Sequence, residues 1–346
     1  MVGTTFERQM PPLPIRVGLG AALDGIIGPV MRVLDRFGYS DRAFAMMKAR
    51  QRKRLAQSNP FRNYVPNRHD VFVATYVKSG TNWMMQIAHQ LAFHGRGDFD
   101  HIHSVVAWPD TLLMGPFRRY AIPLEDQSVW KASPESKRVI KTHYDWEWLP
   151  HSEAARYIFV IRDPKDILVS SYLFFVKHGP LRNVVRSLDV WLRLFLSDNF
   201  PVAFLGSWAA NAAGYWAERH RRNVLICSFK SMKEDLRNTV RSVARFLDVK
   251  VSDAVLERVR EKSSFEYMKR IDDKFRVWKM IPWAPDQPMV RKGIHGGSSE
   301  LLSTEQQRQV DEHFIAELGR LGSDFPYAEF CEVSSQLATV GSGAGG

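Results

Sequence analysis

The sequence has few of the features that build disulfide scaffolds or cross membranes. Only two cysteines, Cys227 and Cys331, occur among 346 residues. This excludes a disulfide framework and a cysteine-rich zinc site, and it suits a reducing compartment. No run of 18 or more apolar residues is free of charge, and the best candidate, residues 17–34, contains an aspartate, a proline and an arginine. It also starts too far along the chain for a secretory signal. We therefore expect a cytoplasmic protein.

Acidic residues are fewer than basic ones in this chain. The 37 acidic residues are outnumbered by 48 lysines and arginines, which gives a net charge of +11. Such an excess favours an anionic partner, which leaves nucleic acid, an anionic membrane surface and a phosphorylated small molecule open. Hydrophobic residues make up 45% of the chain and charged residues 25%, an ordinary globular composition that excludes a mainly disordered protein.

The pattern along the chain divides it into three parts. We predict an N-terminal arm with helical segments over residues 1–60, one domain over 61–333 and a flexible tail over 334–346. Apolar residues at helical spacing in the arm predict an amphipathic helix, for which packing on the body is favoured over a membrane. The basic run 48–54 is interpreted as a solvated helix face, with a nucleic-acid or phospholipid contact as the alternative.

Short apolar strands alternate with helices from residue 70 onward. Such alternation is typical of a mostly parallel sheet covered on both faces. The fold class predicted is therefore α/β, a single domain with a central, mostly parallel sheet flanked by helices. The predicted strands are 71–76, one opening at 139–140, 157–161 and 224–229, and the predicted helices are 83–93, one from about 164, and 232–247.

The segment TYVKSGTNW, residues 75–83, lies between a predicted strand and a predicted helix. A turn of this kind directs backbone N–H groups and a helix N-terminus at one point, which makes an anion site. Lys78 adds a positive charge, and Gly80 allows close approach of the backbone. The string that defines a Walker A loop is absent, which disfavours an ordinary ATPase or kinase. A helix cap with a chance lysine is the alternative.

Four further strings follow in order at predicted strand ends or in loops. They are Lys141-Thr142-His143, RDPKD at 162–166 with Ser170 downstream, Ser263-Ser264-Phe265 with Met268, and Arg291-Lys292-Gly293. Together with the 75–83 segment, this set resembles the cytosolic-type sulfotransferases over about residues 60–330. The resemblance implies an enzyme with a P-loop-like phosphosulfate-binding loop. It would move a sulfuryl group from 3′-phosphoadenosine 5′-phosphosulfate (PAPS) to a hydroxyl of a small acceptor by in-line transfer.

PAPS carries a 5′-phosphosulfate and a 3′-phosphate, so it needs two separate anion clamps. Arginine suits the second because it grips a phosphate through two parallel N–H bonds. A surface ion pair with a neighbouring aspartate is the alternative for Arg162. By the resemblance, the nucleotide-binding residues are Lys78, Ser79, Gly80, Thr81, Asn82 and Trp83 in the loop, Arg162, Ser170, Arg291, Lys292 and Gly293 at the 3′-phosphate, and Trp83, Phe229, Ser263, Phe265 and Met268 around the adenosine.

The resemblance also assigns the catalytic groups. His143 is the expected general base, because an imidazole can take the acceptor's proton near pH 7. Lys78, assisted by Lys141, would stabilise charge on the leaving phosphate. No metal is expected. His101 and His103 form an H-x-H pair, which we interpret as part of a loop.

The chain departs from the family pattern at several points. Phe229 stands where the family usually has a tyrosine that hydrogen-bonds adenine. The tryptophan and lysine that often follow Arg291-Lys292-Gly293 are missing, as is the usual dimer motif, so the oligomeric state is left open. The aromatic residues expected around the acceptor favour a lipophilic alcohol, phenol or sterol-like molecule. They are Trp108, Phe117, Tyr120, Trp146, Trp148, Phe174, Phe175, Trp278 and Trp283. An anchor in the core or in a loop is the alternative for many of these rings.

Two other functions are considered. The first keeps the chemistry but places it on a glycolipid or carbohydrate acceptor. The second is a basic binding protein associated with membranes or nucleic acid through residues 10–60, with a vestigial nucleotide site. The intact set of site residues argues against the second and against a nucleic-acid partner, while a peripheral membrane contact through the arm is left open.

Overall fold

A computed structural model of the chain describes most of residues 39–334 and a few positions before them. The described residues are 25, 28–31, 33–34, 36–37, 39–111, 121–179, 181, 183–185, 187–197, 199–202, 206–276, 288–291, 293 and 296–334. The predicted tail from 335 onward, most of the first 38 residues, and Lys292 therefore lie outside the described residues. The predicted division at residues 60 and 333 stays a prediction.

Four parallel strands form the sheet, in the order β2-β1-β3-β4. Their bounds are β1 (Asp70–Thr75), β2 (Arg138–Thr142), β3 (Arg156–Ile161) and β4 (Val224–Ser228). Every residue of β1 and β2 is buried, as expected for strands covered on both faces. The predicted α/β class and parallel sheet are confirmed.

Helices cover both faces of the sheet. One apolar cluster includes Phe72, Phe159 and Trp208, and the other includes Val73, Met84 and Val240. The helices are α1 (Ser40–Gln57), α2 (Thr81–Ala92), α3 (Ser128–Ala132), α4 (Pro164–Ser171), α5 (Leu188–Phe195), α6 (Trp208–Ala217), α7 (Phe229–Glu234), α8 (Leu236–Phe246), α9 (Asp253–Lys262), α10 (Phe265–Arg270), α11 (Thr304–Arg320) and α12 (Tyr327–Phe330).

Two local predictions near β4 are wrong. Phe229 begins α7 rather than ending β4, because Ser228 caps a new helix there. The helix predicted over 232–247 is interrupted at Asp235, whose side chain accepts the N–H of Asn238 and starts α8. The H-x-H pair lies in the connection between α2 and α3, where it forms a short, buried 3₁₀ turn (Ile102–Ser104, capped by His101).

The described part of the arm packs on the body through some side chains and exposes others. Phe44 and Leu55 of α1 join the apolar core. Most of the basic run in α1 is exposed, although Lys48 is buried. Among the described residues, large exposed hydrophobic side chains concentrate here: Val30, Val33, Phe37, Tyr39, Met46 and Met47. No helix within the described ranges has the length and apolar character needed to span a membrane.

The carboxyl ends of β1, β2 and β3 meet at one edge of the sheet. Ala74 of β1 is opposite Thr142 of β2, and Thr75 is opposite Val160 of β3. The residues that follow these three strands therefore start from neighbouring positions. This is the edge at which parallel α/β sheets bind ligands.

Candidate active site

The loop between β1 and α2 has the backbone shape of an anion cradle. Lys78 and Gly80 both have positive φ, 64° and 98°, and α2 begins directly after them at Thr81. A Cβ atom on Gly80 would lie 2.7 Å from the ring of Phe229, so only glycine fits. Backbone N–H groups at the start of α2 therefore face a site with a positive helix end.

Lys78 is held in this loop against an aromatic ring. Its Nζ lies 3.6 Å from the ring centroid of Phe174. Burial, together with the positive charges of Arg162 and Arg291, lowers the pKa of Lys78 to about 7. An anion bound beside Lys78 would therefore stabilise the charged ammonium form and raise this pKa.

Lys141, near the end of β2, is buried against an aromatic ring and interacts electrostatically with a carboxylate. Its Nζ lies 3.4 Å from the ring centroid of Trp108. Burial lowers its pKa to about 7, while the charge of Asp110 opposes that shift. Burial in turn raises the pKa of Asp110 to about 6. Lys78 and Lys141 interact electrostatically, so both lysines face one region.

His143 has a defined ring orientation. Its Nδ1 lies 2.9 Å from the carbonyl oxygen of Thr75, which only an N–H can satisfy. The neutral ring therefore carries its proton on Nδ1 and its lone pair on Nε2. The backbone N–H of His143 donates to Asp110 at 2.6 Å. Burial, with the charge of Lys141, lowers the pKa of His143 to about 3, so the ring is neutral at pH 7.

Arg162 follows β3 and reaches back to the β1 loop. Its Nη1 donates to the carbonyl oxygen of Lys78 at 3.0 Å, and its guanidinium carbon lies 4.3 Å from the ring centroid of Phe229. A buried pairing with Asp166, at 3.6 Å, replaces the surface ion pair considered from the sequence. The guanidinium group is therefore fixed beside the loop between β1 and α2.

Two other residues predicted for the second clamp, Ser170 and Arg291, belong to segments that the structure describes. Ser170 is in α4, which begins two residues after Arg162. Arg291 is exposed and pairs with Glu300 at 2.9 Å. Burial lowers the pKa of Arg162, and the charge of Arg291 adds to that shift, which places the two guanidinium groups within electrostatic range. Lys292 is outside the described residues.

Aromatic and small residues form a separate region next to the loop. The indole Nε1 of Trp83 donates to the carbonyl oxygen of Ser263 at 2.7 Å, and the Trp83 ring meets Phe229 edge-on at 5.6 Å. Gly293 has φ 57°, and a Cβ there would lie 2.4 Å from the ring of Phe265. The 293 loop therefore rests directly on Phe265. Met268 is buried in the adjoining core.

Two buried hydroxyls suit the phosphate and ribose oxygens of a nucleotide. The Oγ atoms of Ser79 and Ser263 are both buried and, within the described parts of the chain, have no hydrogen-bond partner. Burying a hydroxyl without a partner costs about 1–3 kcal/mol. A ligand with oxygen atoms at both ends would remove that cost, so the residues present fit an adenosine phosphosulfate.

A sequence profile described as the sulfotransferase domain matches residues 68–322. The protein belongs to the sulfotransferase family. It is an enzyme that transfers a sulfuryl group from PAPS.

Similar proteins agree with this sulfotransferase assignment. Human sulfotransferase 1C2 is 27% identical over 255 residues, which cover 70% of this chain and 81% of the relative. Human sulfotransferase 2A1 is 27% identical over 271 residues, covering 76% and 90%. A crystal structure of retinol dehydratase, in complex with androsterone and the inactive cofactor PAP, aligns with a TM-score of 0.60 and 20% identity, covering 80% of this chain and 88% of that one. The last comparison bears on the fold alone.

The sulfotransferase fold separates the aromatic acceptor candidates into two groups. Trp108 and Phe174 contact the site lysines, and Phe175 packs on Phe174. Trp146 packs instead between His151 and the core tyrosines, and Trp148 packs edge-on against Tyr144. The contacts of these two rings therefore favour the alternative, an anchor in the core or in a loop. Phe117, Tyr120, Trp278 and Trp283 lie outside the described residues.

Sequence reasoning missed three residues that support the sulfotransferase site. Thr75 orients the His143 ring through its carbonyl oxygen, and Asp110 holds the His143 backbone. Asp272 accepts the N–H groups of residues 289 and 290 at 2.8 and 2.6 Å, which anchors the start of the 291–293 loop. Because each contact joins segments distant in sequence, no local pattern marks it.

Proposed function

We propose that the enzyme transfers the sulfuryl group in line from PAPS to the hydroxyl of a small lipophilic acceptor, with His143 as the general base. The observation that carries this proposal is the orientation of the His143 ring. The carbonyl oxygen of Thr75 accepts a hydrogen bond from Nδ1–H, so Nε2 is the nitrogen able to accept a proton. His143 also interacts electrostatically with Lys141 and Lys78.

The roles of the catalytic residues follow from charge. His143 accepts the acceptor's proton as its oxygen bonds to sulfur. Lys78 stabilises the negative charge that grows on the leaving phosphate oxygen, and Lys141 supports it. These lysines act by position and charge, because a sulfuryl group is transferred without a covalent bond to the protein.

The nucleotide would be held at both ends. The loop from Lys78 to Trp83 would bind the 5′-phosphosulfate, with the Ser79 hydroxyl and the amides at the start of α2. Arg162, Ser170, Arg291, Lys292 and Gly293 would bind the 3′-phosphate. The adenosine would lie against Trp83, Phe229 and Phe265, with Ser263 and Met268 beside it.

The acceptor preference rests on the rings next to the catalytic groups. Trp108 meets His143 edge-on at 6.0 Å, and Phe174 lies over Lys78. An apolar acceptor would pack on these rings, and retinol dehydratase is itself described in complex with a steroid, androsterone. A glycolipid or carbohydrate acceptor is the alternative, and transfer of labelled sulfate from PAPS to a panel of both acceptor classes separates the two.

The second clamp gives the test of nucleotide binding. PAP, adenosine 3′,5′-bisphosphate, is expected to bind at least about a hundredfold more tightly than AMP, since a charge-assisted phosphate contact contributes about 1.5–3 kcal/mol and two arginines are available. Calorimetric titration of the purified enzyme with each nucleotide measures this ratio. Equal binding would refute the 3′-phosphate clamp.

Phe229 offers a test of the adenine contact. Its ring touches Gly80, Arg162 and Trp83, so a hydroxyl at its tip would restore the donor that the family usually has there. Phe229→Tyr is expected to tighten PAP binding by about threefold to tenfold, the contribution of one hydrogen bond. Cytidine 3′,5′-bisphosphate is the control ligand, and an equal gain with it would contradict an adenine contact.

Three expectations stay predictions. Peripheral membrane contact through the arm is supported by the exposed hydrophobic side chains at residues 30–47 and the exposed basic residues of α1. A cytoplasmic location and catalysis without a metal rest on the sequence and the family resemblance.

A further inference from the structure

We propose that Asp311 is a positioning residue for the 3′-phosphate clamp, although it lies in α11 and belongs to no predicted motif. It acts through Lys165 and through residues 331–334, here called the strap. The inference rests on the proposed function of Arg162 and the 291–293 loop.

Asp311 is fully buried and gathers three segments around its carboxylate. Its Oδ1 accepts a hydrogen bond from the hydroxyl of Tyr327 at 2.7 Å and pairs with Lys165. Its Oδ2 accepts the N–H and the hydroxyl of Ser334 at 3.0 and 2.6 Å. One carboxylate thus joins α11, the strap and the first turn of α4.

Asp163 repeats this arrangement at the start of α4. Its Oδ1 caps the helix by accepting the N–H of Lys165 at 2.8 Å, and its Oδ2 accepts the N–H of Glu332 in the strap at 2.9 Å. Lys165 Nζ lies 3.2 Å from the same carboxylate. The Lys165 ammonium group stays in place between the two buried carboxylates, because moving it away from either one would leave a buried charge without its partner. The residues directly after Arg162 are therefore fixed relative to the strap.

The strap also contacts the segment that follows the 291–293 loop, which is the second part of the proposed clamp. Gly296 donates its N–H to Asp166 at 3.2 Å, and a Cβ on Gly296 would lie 2.7 Å from the carboxylate of Glu332. Asp166 pairs with Arg162 as well. The strap and the first turn of α4 therefore hold the loop that follows Gly293 close to Arg162. Because two guanidinium groups must meet one phosphate, their spacing sets its affinity.

The experiment compares two full-length variants that each remove one negative charge from neighbouring positions of α11. Asp311→Asn disturbs the buried network, whereas Glu312→Gln removes an exposed partner of Arg308. Calorimetry with PAP and with AMP is done on both. Asp311→Asn is expected to weaken PAP binding by about tenfold with AMP binding unchanged, and to raise KM for PAPS without changing KM for the acceptor. Glu312→Gln is expected to match the wild-type protein.

Each other outcome counts against the proposal. An unchanged ratio of PAP to AMP affinity in Asp311→Asn, an equal loss for both nucleotides, or the same loss in Glu312→Gln would overturn it. If Asp311→Asn does not fold, Ser334→Ala removes a single hydrogen bond to the same carboxylate and is expected to lower the ratio about threefold; an unchanged ratio there overturns the proposal. No preference for PAP in the wild-type protein would refute the clamp itself, which distinguishes that failure from this one.

Discussion

His143→Ala is expected to lower kcat by about 10²–10⁴-fold while PAP binding stays within about twofold of the wild-type value, because a general base contributes to the transition state and not to nucleotide affinity. His143→Asn should lose as much activity, since an asparagine side chain can donate a hydrogen bond but is not basic. Activity is measured as labelled sulfate transferred from PAPS, and binding by calorimetry.

His69 supplies a matched control. Its Nδ1 also bonds a backbone carbonyl, that of Ser136 at 2.7 Å, but His69 precedes β1 and so lies at the opposite edge of the sheet. His69→Ala should therefore keep full activity. Near-full activity in His143→Ala, or an equal loss in His69→Ala, would contradict the role of His143 as the base.

The contrast between these two histidines shows how far the sequence alone reaches. His69 directly precedes a strand and His143 directly follows one. Only the string Lys141-Thr142-His143 identified His143 as a candidate base. The tautomer of its ring depends on Thr75, which is 68 residues away along the chain. This contact forms because β1 and β2 are neighbours in the sheet. The strand pattern in the sequence is compatible with that strand order but does not determine it.

The strands were predictable because each is a short apolar run, and a run of this kind is typical of a buried strand in a parallel sheet. The aromatic residues were less so, since composition does not tell which face a ring occupies. Trp108 and Trp146 look alike in sequence, yet one covers Lys141 and the other packs against Tyr215 in the core. Asp311 and Asp110 were missed for the related reason that their partners come from distant segments.

The second large expected effect is a dependence of PAP affinity on pH, which arises from the protonation of Lys78. Its pKa is lowered to about 7 in the protein without a ligand, first by burial. A bound 5′-phosphate favours the protonated amine and raises that pKa, so binding above pH 7 takes up a proton. PAP affinity should therefore fall by up to about tenfold per pH unit between pH 7 and 9 for each lysine that takes up a proton. Lys141, also shifted to about 7, adds to this slope.

Lys78→Met is expected to remove one proton from the uptake and to lower kcat by about 10²–10³-fold, the effect of losing one preorganised charge at the leaving group. Calorimetry at pH 8 in two buffers with different ionisation enthalpies counts the protons directly. Lys53→Met, which removes the same charge from the exposed side of α1, is the control and should leave both values unchanged. If Lys78→Met takes up as many protons as the wild-type protein, the uptake does not come from Lys78. The affinity would then depend on pH through Lys141, and Lys78 would bind the phosphosulfate already protonated.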